Sequence, residues 1–452
     1  MRKIHIYPLI FCLLCISCME PEIDKSLLRI EGLNGLYITV PGFATEYGIS
    51  NQGPYEDGDT LLIKVPSSEE APVDISALFA RASLGHNAVL TPALAGMMDF
   101  SEPVDIYVTD GANVSTHYVI KVVPIPPKMV LKKLWYKNLL DMGFVNFDNV
   151  NSIAVSRDKL VVCAYNPTIL KVLDKATGDF IKDIPLSHPW ISQINTDDTG
   201  NVLATSWRIY GSYFECKKID IDAGSETLLG YYTSDEVPDF VGDRVTLTGN
   251  IDKGTAFIYA TGRGDNGYYM LELKDGQKVS GSAIKYSTPI SEYWERATVK
   301  RKTTDDESEL LISTLHTLDG EHSRFVVIKN QFEFKEMDPL NFPSSILDYD
   351  YFKMGEEEFV AMAVQSGNGT PVEMRVYNIT KDEYMELVPG DSEYSNLMCF
   401  TSEQILSGGY TRNADVAVQV DGNLAYLYLF TTAANGTSGG GVLAYQLKYT
   451  AQ

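Results

Sequence analysis

The chain has 452 residues, and its 37 Lys plus Arg stand against 60 Asp plus Glu, a net charge of −23. A surface this acidic repels phosphate backbones and anionic headgroups, which argues against nucleic acid as a partner and against electrostatic adsorption to a membrane. Its 6 cysteines are widely spaced apart from an N-terminal group, so they form neither a disulfide framework nor a metal-binding set.

The chain opens with MRKIHIYPLIFCLLCISC, where Arg2 and Lys3 precede an apolar run from Tyr7 to Ile16. That is the charged and apolar layout of an export signal, residues 1–17, and it is shorter than the roughly 20 residues needed to span a bilayer. The end of the run, Cys15-Ile16-Ser17-Cys18, resembles a bacterial lipobox, with Cys15 in the place of the usual leucine. The resemblance implies lipidation of Cys18. The tether 18–26 carries Glu20, Glu22 and Asp24 and is similar to the acidic export tag of Bacteroidetes lipoproteins sent to the outer face of the outer membrane. Without residues 1–17 the chain has 35 basic and 60 acidic residues, and Cys163, Cys216 and Cys399 are its remaining thiols. Cys163 and Cys216 lie in strand-like runs and read as buried apolar groups.

Residues 27–123 show seven short strand-like runs split by turn residues, among them GLYITV, TLLIKV, VDIYVTD and THYVIKVV, a pattern that predicts an immunoglobulin-like sandwich. The segment from Asp99, DFSEPVDIYVTDGANVSTHYVIKVV, resembles the last strand pair of the sandwich modules found at the N-termini of Bacteroides surface lipoproteins. PIPP at 124–127 reads as a stiff linker.

Residues 128–452 repeat a pattern of strand, tight polar turn and strongly apolar strand. It occurs six times, in SIAVS-RDK-LVVCAY, SQINT-DDTGN-VLATSW, RVTLT-GNIDKG-TAFIYATG, ATVKR-KTTDDES-ELLISTL, LDYDYF-KMGEE-EFVAMAV and ADVAVQV-DGN-LAYLYLF. Most copies are followed by a second hairpin, such as TILKVLD-KATG-DFIKDI in the first and EMRVYN-ITKD-EYMELV in the fifth. Four antiparallel strands per repeat is the layout of a propeller blade. The last copy ends one strand short, and KMVLKKLWY at 128–136 is the expected donor, which would close the ring and remove exposed edges. The fold class is therefore all-β, a sandwich followed by a six-bladed β-propeller. The runner-up is seven blades, with an irregular one inside 390–413.

No residue set carries a legible catalytic mechanism, and no cofactor or metal site is assigned. His316 and His322, with Asp319 and Glu321 in LHTLDGEH, read as a polar loop, and NTDDTGN at 195–201 reads as a tight turn rather than a calcium loop, since Ser206 stands where a bidentate Glu is needed. Gly439-Gly440-Gly441 lacks the lysine and helix of a phosphate loop.

The connections between blades hold Phe144, Phe147, Trp190, Phe240, Tyr293, Trp294, Phe342, Tyr394, Phe400 and Tyr410. Aromatic faces beside polar groups suit the apolar C–H face of a sugar, although the same residues also serve as wedges between blades. Trp190 with His188, Trp294 with Tyr293 and Arg296, and Phe240 and Tyr394 form the candidate ligand set. The expected role is non-catalytic glycan binding by a cell-surface lipoprotein, held to the outer membrane by its lipid alone and open to an outer-membrane protein partner. A carbohydrate-active hydrolase or lyase and a protein-interaction scaffold are the rival expectations.

Overall fold

The computed structural model describes residues 32–450, apart from 42–45, 52, 68–71, 95, 127, 145–149, 165–167, 189, 209–212, 263–266, 280, 282, 288–296, 316–322, 330–332, 343–344, 367–369, 392, 407–413 and 433–439. It is all-β and separates into two compact units, one ending at Lys128 and one spanning Met129–Ala451. The predicted signal, Cys18 and the acidic tether lie outside the described residues.

The first unit is a pair of four-stranded sheets. In strands such as Asp59–Pro66 every second side chain is buried, and Leu61, Ile63 and Val65 share one core with Leu36, Ile38, Ile106 and Ile120 from both sheets. Alternation with period two thus makes one face of each sheet apolar and packs the two faces together. The last strand, Ser115–Ile125, runs parallel to Asp59–Pro66, and its end places Pro124 and Ile125, residues read above as linker, opposite Val65 and Pro66.

Among the described residues the second unit has six antiparallel sheets arranged as blades. Their inner strands are Val150–Ser156, Ile191–Thr196, Val241–Gly249, Thr298–Arg301, Ser345–Met354 and Ala414–Asp421. Each inner strand touches the next, and the sixth touches the first, so the sheets close into a propeller-like ring. Closure comes from the start of the unit: Met129–Asn138 pairs antiparallel with Gly441–Tyr449 and supplies the fourth strand of the sixth blade, as the truncated last repeat requires. The second strands are buried on both faces because each lies between two neighbouring blades, which is why they read as continuous apolar runs such as LVVCA and FVAMAV.

Two expectations are corrected. Among the described residues 390–413 supply the outer strand of the fifth blade, Met398–Thr401, and no seventh sheet. EYMELV is not that outer strand: Asp382–Glu386 forms a 3-10 turn that inserts Met385 into the core, and the Met385 carbonyl accepts the Asp338 N–H. Tyr394 accordingly lies in the connection between the third and fourth strands of blade five, not between blades.

Candidate functional site

Each inner strand begins at the ring end where the second strand of its blade finishes, as in the pairs Ile191 with Ser206, Val241 with Gly262 and Ala414 with Thr431. Just inside that end the inner strands carry polar side chains that bind across blades. Ser152 Oγ in blade one donates to Asp415 Oδ2 in blade six at 2.7 Å, and the Ile153 N–H donates to the same oxygen at 2.8 Å. Ser152 Oγ also accepts the Ile194 N–H of blade two at 3.1 Å. Thr298 Oγ1 of blade four donates to Asp348 Oδ1 of blade five at 2.7 Å. Arg244 Nη2 of blade three donates to the Leu347 and Ala414 carbonyls at 3.0 and 3.1 Å, one residue before each aspartate. The Asp348 carboxyl acts directly on that of Asp415. All six blades thus meet in one buried polar belt.

Burial, reinforced by the Asp348 carboxyl, holds the Asp415 carboxyl well above the usual carboxylate range, while Arg244 and Ser152 oppose the rise only in part. A raised carboxyl at Asp415 lowers the charge that this buried belt would otherwise carry beside the Arg244 guanidinium.

A channel of about 670 Å³ is lined by all six inner strands. Gln193 and Asn195 line it with Asp348 and Asp415, while Asp197, Asp198, Lys300 and Asp350 line it nearer the opposite turns. Lys300 Nζ donates to Asp350 Oδ1 at 2.6 Å, and burial raises the Asp198 carboxyl against the pull of Lys300. The predicted tight turn is present: Asp197 Oδ1 accepts the N–H groups of Thr199 and Asn201, and its Oδ2 reaches the Ile251 N–H of the next blade. Among the described residues no group of three or more His, Cys, Asp or Glu side chains is arranged to hold a metal ion.

Among the described candidate ligand residues, Trp190 is the most exposed. It is 41% exposed although its backbone is held on both sides, its N–H donating to His188 Nδ1 at 3.1 Å and its carbonyl accepting the Trp207 N–H at 3.0 Å. Trp207 Nε1 donates to the Phe240 carbonyl at 3.4 Å, and the Phe240 N–H donates to the Arg208 carbonyl at 2.8 Å, which zips the edges of blades two and three together. Phe240 is half-buried with φ +70°, a left-handed conformation that costs a bulky residue energy and here turns the chain into the inner strand. Arg208 is buried in an ion pair with Asp239 Oδ1 at 2.5 Å, and Asp239 is partly open to solvent. Tyr213 and Tyr231, both about half exposed, meet edge to face on the same blade.

His188 is largely buried beside Glu215, whose Oε1 lies 4.0 Å from its Nε2. Lys217 binds Glu215, Glu226 and Ser187. Burial lowers the His188 value, Glu215 and Glu226 pull it up, and Lys217 adds to the lowering.

The other loop aromatics divide differently. Phe144 and Phe342 are buried wedges, whereas Phe400 stands not in a connection between blades but on the outer strand of blade five, paired with Val376, half-buried and edge-on to Tyr445. Tyr394 packs partly buried on the fifth-blade core. Tyr293, Trp294 and Arg296, with Phe147, Tyr410, His316 and His322, lie outside the described residues. The polar belt was not anticipated, although the sequence carries a signal for it: a charged residue, Asp348, Asp415 or Arg244, near the start of the inner-strand segments SILDYD, ADVAVQ and GDRVTL.

No protein-family model matches this sequence, and no curated protein matches it either. Among solved structures, a DUF4623 family protein from Bacteroides eggerthii is similar at TM-score 0.50 and 15% identity, covering 92% of this chain and 98% of its own. Virginiamycin B lyase from Staphylococcus aureus aligns at TM-score 0.36 and 12% identity, over 71% of this chain and 100% of its own. At such identities the first likeness concerns the fold alone, and it extends over nearly the whole of both chains.

Proposed function

We propose that this protein is a surface lipoprotein of the outer membrane, lipidated at Cys18, in which an immunoglobulin-like spacer carries a six-bladed propeller that binds a glycan. The observation that carries the reading is Trp190: a solvent-exposed indole on a backbone fixed at both its N–H and its carbonyl. An aromatic side chain on a fixed backbone has less entropy to lose on stacking against a pyranose, and the Asp239 carboxylate, open to solvent beside buried Arg208, offers an acceptor for hydroxyls. The N-terminal signal pattern and acidic tether support the cell-surface placement.

The test is a glycan-array and polysaccharide-gel screen of the chain from residue 26, alongside Trp190→Ala and the Trp190→Ala plus Trp294→Ala double variant, with product analysis of every hit. Binding that weakens at least tenfold in the still-folded variants, without product, is the expected result. Product would transfer the assignment to a hydrolase or lyase, and no binding to any glycan would transfer it to a protein-interaction scaffold. Incorporation of labelled palmitate tests the anchor: labelling that survives Cys18→Ala overturns it.

A further inference from the structure

The hydrogen bond from the Trp190 N–H to His188 Nδ1 can exist only while that nitrogen keeps its lone pair, because a backbone N–H can only donate. The geometry therefore selects the neutral ring with its proton on Nε2, the nitrogen facing Glu215. Protonation at Nδ1 would set two donors against each other across 3.1 Å.

We propose that His188 is a proton-operated latch for Trp190: the neutral ring fixes the indole in its presented position, and the imidazolium releases it. The charged groups facing His188 come from two strands of blade two, Glu215 and Lys217 on Phe214–Asp220 and Glu226 on Ser225–Tyr232. Lys217 already engages both glutamates, so an imidazolium arriving there competes with an ammonium for the same carboxylates. Burial acts in the same sense and places the transition below the ordinary histidine value near 6.5. The latch is set at neutral pH and opens in acid. Asparagine separates the two properties of His188, since its side-chain oxygen can accept the N–H two residues on without titrating.

The test needs no ligand. Tryptophan emission and acrylamide quenching of the full-length chain are followed from about pH 8 to about pH 4.5, and the difference from Trp190→Phe isolates the Trp190 contribution. The wild type is expected to show a one-proton transition centred below 6.5, with His188→Asn flat over the same range and the near-ultraviolet dichroism of both intact. In parallel, the ring ¹⁵N shifts of His188 should report Nδ1 protonation at the midpoint of the Trp190 transition. A flat wild-type profile, a transition that survives in His188→Asn, or a His188 titration displaced from the Trp190 midpoint overturns the latch. Its effect on ligand rests on the glycan reading above. For any glycan bound at neutral pH, affinity should fall about fivefold at pH 5 in the wild type, the worth of one such hydrogen bond, and stay level in His188→Asn. Absence of glycan binding at every pH would sink that reading while leaving the emission transition as the test of the latch.

Discussion

Ser152 in blade one donates to Asp415 in blade six at 2.7 Å, and burial, reinforced by the Asp348 carboxyl of blade five, raises the Asp415 carboxyl well above the ordinary carboxylate range. The folded chain keeps a proton on Asp415 that the unfolded chain releases near the ordinary value of 3.8. Stability from this site is therefore complete in acid and declines as pH rises through the folded value. Asp415→Asn can accept from Ser152 and the Ile153 N–H and donate to Asp348 without titrating. Thermal midpoints between about pH 5 and pH 8 should fall more steeply in the wild type than in this variant. The gap should widen by at most about 1.4 kcal/mol per pH unit. Parallel curves would show that the proton is not held there.

Arg244 faces the same site from the third blade. Arg244→Met keeps most of the volume but strips donors from the Leu347 and Ala414 carbonyls and leaves the carboxyl pair without its cation. Breaking one partner of a buried charged network costs about 3–5 kcal/mol. Urea unfolding should show a loss of that size, and Arg244→Lys should recover only part of it, because a single ammonium cannot reproduce the planar fork.

The ring was legible in the sequence because its cause is local and repeated. LVVCAY, FVAMAV and LAYLYLF are apolar on both faces, and only a strand between two neighbours tolerates that; the missing strand of the last repeat pointed directly to 128–136. Blade five was misread where local pattern and packing part: EYMELV has the composition of a strand, yet Met385 is worth more inserted in the core than alternating in a sheet edge. The aromatic set was less legible still. Phe144 and Trp190 both stand in connections just before an inner strand, and what buries the first and exposes the second is the packing of neighbouring blades, which no local window contains. The polar belt escaped because its members lie as many as 263 residues apart and no single strand contains both halves of any of its cross-blade contacts.

Ring closure depends on a contact between the donated strand and blade one. Trp135 donates through Nε1 to the Lys175 carbonyl at 3.1 Å, and its ring lies over Gly178, where an added Cβ would come within 2.8 Å of it. Gly178 also has φ +69°, which only glycine adopts without strain. Trp135→Ala should cost about 3–5 kcal/mol. Gly178→Ala should cost more in the wild type than in Trp135→Ala, where only its backbone strain of about 1–2 kcal/mol remains. Additive effects in denaturant unfolding would separate the two residues.

Thiol chemistry offers an independent check on how the blades are packed. Cys163 and Cys216 are fully buried, and desolvation pushes both thiols up, which suppresses the reactive thiolate. Cys399, on the outer strand of blade five, is only half-buried. None of the three is in a disulfide. The native chain from residue 26 should therefore react with a thiol reagent at Cys399 alone, and at all three positions in 6 M guanidinium. Native labelling of Cys163 would mean that blades one and two part readily, since its side chain lies in the core that those two blades share with Ile194, Val202 and Ala204. Mass mapping of the labelled peptides distinguishes such an opening from reaction at the exposed outer strand.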